Sequence, residues 1–163
     1  MSAPDERGFG GRILLEPGRW LVAEAGIPLT RVLRIKQGRQ RRFLVVDAGM
    51  TELLRPSLYD GWHEIVPVSR RQLPPRIYDV VGPVCESSDT FAVDRQLPPC
   101  EPGDLLMIKT TGAYGAAMAS NYNSRPLAAE VLVDHDRYAV VRRRQTFEEM
   151  IAGEQTAQHW DST

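Results

Sequence analysis

A mainly β domain, a sandwich or barrel with one or two short helices, is the fold this sequence predicts. Three observations carry the prediction. Apolar runs are short and bounded by Gly, Pro and Asp, as strands are. Tight-turn chemistry recurs between them, as in Gln37-Gly38-Arg39-Gln40 and Glu101-Pro102-Gly103-Asp104, where Gly and Pro supply the φ values a turn needs. Helical signals are confined to two brief stretches, and several short strands with sparse helix favour a sandwich or barrel.

In chain order, Trp20 to Ala25 reads as a first strand, closed by Gly26 and Pro28. Arg31 to Lys36 and Arg42 to Asp47 flank the Gln37–Gln40 turn as a hairpin. Tyr78 to Cys85 is a further run, which Gly82-Pro83 must break or place at an edge. Leu105 to Thr110 leaves the Glu101–Asp104 turn as a strong strand. Gly115 to Asn121, small and Ala-rich, suits one or two tight helical turns. Val131 to Val133 and Tyr138 to Arg142 form a last hairpin around Asp134-His135-Asp136. Thr146-Phe147-Glu148-Glu149 has capping-box spacing and opens a short helix to about Ala152. The organisation expected is a flexible segment over 1–12, a β-domain over 13–153 and a tail over 154–163, without repeats or a low-complexity linker.

The 163 residues suit one domain with a workable core. Apolar residues at 42% and charged residues at 25% are ordinary for a globular protein. A net charge of −1 supplies no global field for nucleic acid or an anionic membrane. Basic clusters at Arg39, Arg41 and Arg42 and at Arg142 to Arg144 adjoin strand-like runs and read as solvated turns or edges. Cys85 and Cys100 form neither a disulfide framework nor a zinc pattern, and His63, His135 and His159 are scattered. No metal site is expected. No apolar run reaches the roughly 20 residues that span a bilayer. The polar start MSAPDERGFGGR lacks the apolar core of a signal peptide, so the expected compartment is the cytoplasm.

Four clusters place reactive or recognising groups where turns would expose them. Glu16-Pro17-Gly18-Arg19 presents a carboxylate and a guanidinium on one tight turn. Arg55-Pro56-Ser57-Leu58-Tyr59 sets an arginine and a phenol about one turn apart. The stretch from Gly82 to Asp89 carries the thiol of Cys85 beside Glu86, after a strand break. Gly112-Ala113-Tyr114-Gly115 holds a tyrosine in a glycine frame. Taken singly, each has a plain structural reading: an exposed ion pair worth under about 1 kcal/mol, a small buried thiol, or core aromatics with satisfied hydroxyls. Asp47-Ala48-Gly49-Met50 reads as a structural turn.

Taken in order, the segments are more specific. Glu16-Pro17-Gly18-Arg19, Val45 to Met50, Leu54 to Tyr59, Val81 to Asp89, Gly112 to Gly115, and Met118 to Pro126 resemble successive motifs of the diaminopimelate decarboxylases, from about Leu14 to Ile151. The resemblance implies the C-terminal β-domain of a fold-type III pyridoxal-phosphate (PLP) enzyme, a β-sandwich or Greek-key barrel. Such enzymes pair this domain with a lysine-bearing (β/α)₈ barrel and work as head-to-tail homodimers with composite sites. By resemblance, Glu16 faces the pyridine nitrogen, which favours PLP as an electron sink, and Gly18, Arg19 and Tyr114 join it on the cofactor side. Arg19, Arg55 and Tyr59 match residues that bind substrate carboxylate. Cys85 matches the proton donor that reaches in from the partner subunit, Glu86 the acid that holds the distal ammonium, and Tyr114 a tyrosine touching both cofactor and substrate.

This set also bears on substrate class. An amino acid whose far end is itself an amino acid needs cations for a carboxylate and an anion for an ammonium. Arginine suits bidentate carboxylate binding, Glu86 supplies the anion, and meso-diaminopimelate fits both. The departures are as informative. The two lysines, Lys36 and Lys109, lie in strand-like runs outside the family's cofactor-lysine motif. The barrel, about 250 residues, and its phosphate loop are missing, and Trp20 follows Arg19 where a smaller residue is expected. The chain alone is therefore expected neither to hold PLP nor to decarboxylate. The alternatives are a related decarboxylase of polyamine, siderophore or antibiotic pathways, and a non-catalytic dimerisation or docking module.

Overall fold

The structure is a computed structural model that describes residues 12, 14–69, 71–157 and 160. Of the expected N-terminal segment 1–12 only Arg12 is described; the rest, and His159 in the expected tail, lie outside the described residues.

Six strands form one sheet: β1 (Leu29–Gln37), β2 (Arg42–Val46), β3 (Ile65–Pro67), β4 (Arg76–Val81), β5 (Thr90–Leu97) and β6 (Leu105–Ile108), in the order β3-β6-β1-β2-β4-β5. The β2–β4 pair is parallel and every other neighbouring pair antiparallel. A parallel pair needs a long crossover, and residues 47–75 supply it, carrying helix α2 (Arg55–Tyr59) and β3 on the way. The sheet curls until its two edges approach. Arg95 of β5 donates to the carbonyl of His63, just before β3, at 2.8 Å, and its guanidinium stacks on Trp62 at 4.7 Å. The result is a nearly closed barrel, which shelters the free strand edges.

Alternation along the strands builds the core. Thr30 and Val32, Leu44 and Val46, and Leu106 and Ile108 are buried, while the residues between them are more exposed, the period-2 pattern of a sheet with one covered face. Each fully buried Leu, Ile or Val is worth about 1.5–3 kcal/mol. A second, two-stranded ribbon follows, β7 (Glu130–Asp134) with β8 (Arg137–Arg142). Helix α3 (Phe147–Met150) then starts from Thr146 with a complete capping box.

The mainly β expectation holds, as do both hairpins, the strand entering Gly82-Pro83, the strand after the Glu101–Asp104 turn, and the capped last helix. The stretch from Gly115 to Asn121 contains a 3₁₀ turn at Ala116–Met118, with another at Tyr122–Ser124. The first predicted strand is wrong. Gly18–Val22 is a short helix, α1, running into a 3₁₀ turn at Ala23–Ala25. Pro17 precedes it with φ −82°, an angle suited to a helix start. Trp20 is 81% exposed, so its bulk stands in solvent. The basic clusters are also less free than expected. Arg41 bonds the buried Asp79 at 2.8 Å, and Arg142 pairs with Glu130 at 2.6 Å.

Candidate active-site face

Strand direction decides what lies at each end of the sheet. β2 and β4 are parallel, and β6 runs with them because both β6 and β2 are antiparallel to β1. The segments leaving β2, β4 and β6, and the segment entering β1, therefore meet at one end. Those segments are the four clusters: α2 after β2, residues 82–89 after β4, residues 112–115 after β6, and α1 before β1.

Helix α2 places Arg55 and Tyr59 one turn apart on the same side, where the guanidinium lies 5.4 Å from the Tyr59 ring centre. The helix stops at Asp60, which takes the left-handed conformation at φ 53°. The ring of Tyr114, from the segment after β6, lies 5.3 Å from the same guanidinium. One cation thus sits between two phenol rings, each contact worth about 0.5–1 kcal/mol at a partly exposed site. Tyr114 is held with φ 62°, a cost of order 1–3 kcal/mol for a non-glycine residue. Its neighbours enforce it. A Cβ at Gly112 would overlap the Val22 carbonyl oxygen, and one at Gly115 would lie 2.5 Å from the Thr111 carbonyl oxygen.

Cys85 and Glu86 stand on the turn after β4. Ser57 Oγ of α2 donates to the Ser88 carbonyl at 2.7 Å, which docks this turn against the Arg55 helix. Glu86 accepts from the Ser88 N–H at 3.3 Å and Ser87 Oγ at 3.2 Å, and these bonds hold its carboxyl below the usual range. The Tyr122 hydroxyl lies 3.5 Å from its other oxygen. Cys85 is an exposed free thiol. Cys100 is buried, and desolvation pushes its thiol up to about 11.

The structure thus brings Arg55, Tyr59 and Tyr114 into contact and sets Cys85 and Glu86 on the adjoining turn. Glu16, Gly18 and Arg19 are exposed at the start of α1. The following 3₁₀ turn is tied to the Tyr114 segment by the Gly112 N–H to Ala23 carbonyl bond at 2.9 Å. Among the described residues, the side chains of Glu16 and Arg19 are not hydrogen-bonded to the Arg55 group.

Sequence reasoning gave no role to the residues that assemble this face. Arg125 donates from Nη2 to the Asp47 carbonyl at 2.7 Å and from Nε to Thr51 Oγ1 at 3.1 Å, anchoring the chain after Tyr114 to the turn before α2. Asp47 accepts from Thr30 Oγ1 at 2.6 Å and the Arg31 N–H at 2.7 Å. Asp89 is a buried carboxylate inside the Cys85 turn. Their signal was present in the quoted segments, but Arg125 lies 74 or more positions from these partners, Asp89 lies 39 from Met50, and the partners of Asp47 are on another strand.

Donor chemistry here fits one wall of a PLP and amino-acid site. A carboxylate, two guanidiniums, phenols and a thiol are present, but a lysine suited to the cofactor is not. Lys36 lies near the far end of β1, opposite this face, and Lys109 is paired with Glu64 at 2.9 Å. Neither of two surface concavities, one beside Arg41 and Asp79 and one beside Leu127 and Gln145, includes a residue of this face. Among the described residues no group of three His, Cys, Asp or Glu is placed to hold a metal ion, and no helix is long and apolar enough to cross a membrane.

A curled, nearly closed sheet with the four clusters at one end defines a domain class, and the comparisons agree with that fold. Residues 19–112 match the family described as "Pyridoxal-dependent decarboxylase, C-terminal sheet domain", and the chain belongs to that family. Within it, the chain is similar to diaminopimelate decarboxylases. It is 50% identical over 143 residues to the diaminopimelate decarboxylase of Neisseria meningitidis serogroup A, covering 88% of this chain and 35% of that protein. With the Pseudomonas aeruginosa enzyme it shares 50% identity over 142 residues, 87% of this chain and 34% of the relative. The crystal structure of diaminopimelate decarboxylase from Helicobacter pylori complexed with L-lysine superposes with a TM-score of 0.78 at 47% identity, covering 90% of this chain and 36% of that one. The chain spans about a third of the length of the curated relatives it matches.

Proposed function

We propose that this chain is the substrate-recognition and proton-donating part of a diaminopimelate decarboxylase, which converts meso-diaminopimelate and a proton to L-lysine and carbon dioxide. The observation that carries the reading is the meeting of the four clusters at one end of the sheet, set by the common direction of β2, β4 and β6. The 50% identity to diaminopimelate decarboxylases over most of the chain supports the substrate.

In the complete enzyme, bound PLP supplies the electron sink that makes loss of carbon dioxide feasible. This chain's residues do the rest of the work assigned here. Arg55, with its planar fork pinned between Tyr59 and Tyr114, binds a substrate carboxylate by two parallel hydrogen bonds, and Arg19 assists from α1. Glu86, kept ionised by its own turn, takes the distal ammonium. Cys85 Sγ gives a proton to the carbon that has lost its carboxylate, and Glu16 keeps the pyridine nitrogen protonated. A lysine-bearing barrel domain and a second subunit complete the site, with Cys85 and Glu86 serving the partner's half.

The test is complementation. The chain is titrated with PLP, alone and with a lysine-bearing barrel domain, and carbon dioxide release from meso-diaminopimelate is followed. The expected result is no cofactor absorbance band alone, and a band with gas release on mixing. A band from the chain alone would refute the division of labour. Activity of the mixture on lysine or ornithine but not on meso-diaminopimelate would refute the substrate assignment.

A further inference from the structure

Asp89 has no part in the recognition chemistry above, yet it is built into the centre of the face. It is 3% exposed. Oδ1 accepts the Met50 N–H at 2.6 Å and Oδ2 accepts the Val84 N–H at 2.7 Å. The two donors belong to different loops: Met50 to the turn that leads into α2, Val84 to the turn that carries Cys85 and Glu86. The backbone of the second turn is wound around the same residue. Gly82 donates its N–H to the Asp89 carbonyl at 3.0 Å, Asp89 donates to the Glu86 carbonyl at 3.1 Å, and Glu86 donates to the Val84 carbonyl at 2.8 Å.

Two glycines make room for the carboxylate. A Cβ at Gly82 would lie 2.5 Å from Asp89 Oδ1, and one at Gly49 would lie 3.3 Å from the same oxygen. A carboxyl group of this length offers one acceptor oxygen to each N–H group. An amide would turn its NH₂ onto one of them. The charged groups facing it are Arg125 and Glu52, which favour and oppose the ionised form respectively, and they pair with each other at 3.5 Å.

We propose that Asp89 is a positioning residue of the active-site face, clamping the Cys85–Glu86 turn to the turn that leads into α2. The thiol and the ammonium-binding carboxylate are thereby held in fixed register with Arg55. Burial pushes the Asp89 carboxyl up, against the two N–H bonds and Arg125. The carboxyl is therefore expected to lose its proton at a midpoint above the ordinary aspartate value of about 3.9. Because the unclamped group ionises more readily than the clamped one, the clamp is firmest below the ordinary value and loosens as pH rises through the raised midpoint. The proposal rests on the roles given to Cys85 and Glu86, but its test needs neither cofactor nor substrate. A failed complementation and a failed clamp are thus separate results.

The experiment is a ¹⁵N–¹H titration of the chain between about pH 3 and 7, with Asp89→Asn beside it. The Val84 and Met50 amides should move together with one raised midpoint, and the Cys85 amide should follow at that midpoint. In D89N the step should vanish from all three. The alkylation rate of Cys85 at neutral pH should change by about threefold or more, as a loosened turn opens locally, while buried Cys100 stays protected and reports an intact fold. A folded D89N with an unchanged Cys85 amide and alkylation rate would overturn the proposal. If D89N does not fold, the wild-type titration decides alone, and a Cys85 amide that stays flat through the Val84 and Met50 step would overturn it.

Discussion

Replacing Gly112 by alanine tests whether the contact between the α1 region and the Tyr114 segment is as close as described. The added Cβ would overlap the Val22 carbonyl oxygen and lie 2.8 Å from Gly26 N and 3.2 Å from the Ala23 carbonyl oxygen. All three neighbours are backbone atoms, so no side chain can swing away. The segments must part, which breaks the Gly112 to Ala23 bond at 2.9 Å and the Thr111 to Gly26 bond at 3.0 Å. Two backbone hydrogen bonds at about 1 kcal/mol each, with an overpacking cost of about 1–3 kcal/mol, give a loss of roughly 3–5 kcal/mol. With a urea slope of about 2 kcal/mol per M, the unfolding midpoint should fall by roughly 1.5–2.5 M. Gly26→Ala strains the same contact from the other side, its Cβ lying 2.5 Å from Gly112 Cα. The double variant should therefore cost less than the sum of the singles, because the second methyl enters a gap already opened. A G112A midpoint within about 0.5 M of the parent, or strict additivity of the pair, would refute the close approach.

Three further outcomes follow from the same geometry. Asp79 is desolvated, but the Arg41 guanidinium and the Asp94 N–H outweigh that burial and hold its carboxyl below the usual range. Its contribution to stability is thus present above the unfolded aspartate value of about 3.9 and lost as pH falls through the lowered folded value. Arg41→Ala should lower the urea midpoint at pH 7 and flatten its decline in acid; an unchanged acid limb would count against the pair. At pH 8 the folded chain should present one thiol, Cys85, to a disulfide reagent, with Cys100 reacting only in denaturant, since burial pushes it up to about 11; two fast thiols in the native state would contradict that burial. Finally, Val133 and Tyr138 on the β7–β8 ribbon are 68% and 77% exposed, and Trp20 on α1 is 81% exposed. The isolated chain should therefore self-associate in sedimentation, and Tyr138→Lys should weaken it; a strictly monomeric profile at high concentration would refute this.

The parts legible in the sequence are those whose cause is local. The β1–β2 hairpin follows from alternation about a four-residue turn, and α3 follows from Thr146 and Glu149 capping each other. Helix α1 was illegible because Trp-Leu-Val has strand propensity, and propensity measures how well side chains fit a half-buried pleated surface. Here there is no such surface, and Pro17 starts a helix instead. Strand β5 was missed because Asp94 interrupts its alternation with φ 49°, and β3 because three residues carry no period. The site residues were legible as ordered clusters, whereas their meeting at one end was not. That depends on β2 pairing in parallel with β4 across a crossover of 47–75, a contact with no local trace. Asp89 and Arg125 were quoted but given no role, because a clamp is recognised by what it holds.

Under the proposed roles, the organising groups of this face are buried and the recognising groups lie nearer the surface. Asp89 and Thr30 are 3% and 1% exposed, whereas Tyr59 and Tyr114 are 60% and 44% exposed. That division has an energetic consequence for the chain alone. Two opposite charges 4 Å apart attract by about 1 kcal/mol in water and about 4 kcal/mol where the effective dielectric is near 20. With the face open, Arg55 works close to the first figure, and Glu86, serving the partner's half, does not reach the same ligand. A single such contact supplies roughly 1 kcal/mol, less than the entropy lost on association, estimated at about 4 kcal/mol or more. The isolated chain should therefore bind L-lysine with a Kd above about 10 mM, against about −4.1 kcal/mol for 1 mM. Covering the face should tighten binding by desolvating the same residues. Amide shifts of Arg55 and Tyr114 under L-lysine titration measure this directly. A sub-millimolar Kd for the chain alone, lost in Arg55→Ala, would show that the open face already supplies full recognition and that solvent exclusion by a covering domain is not what the site lacks.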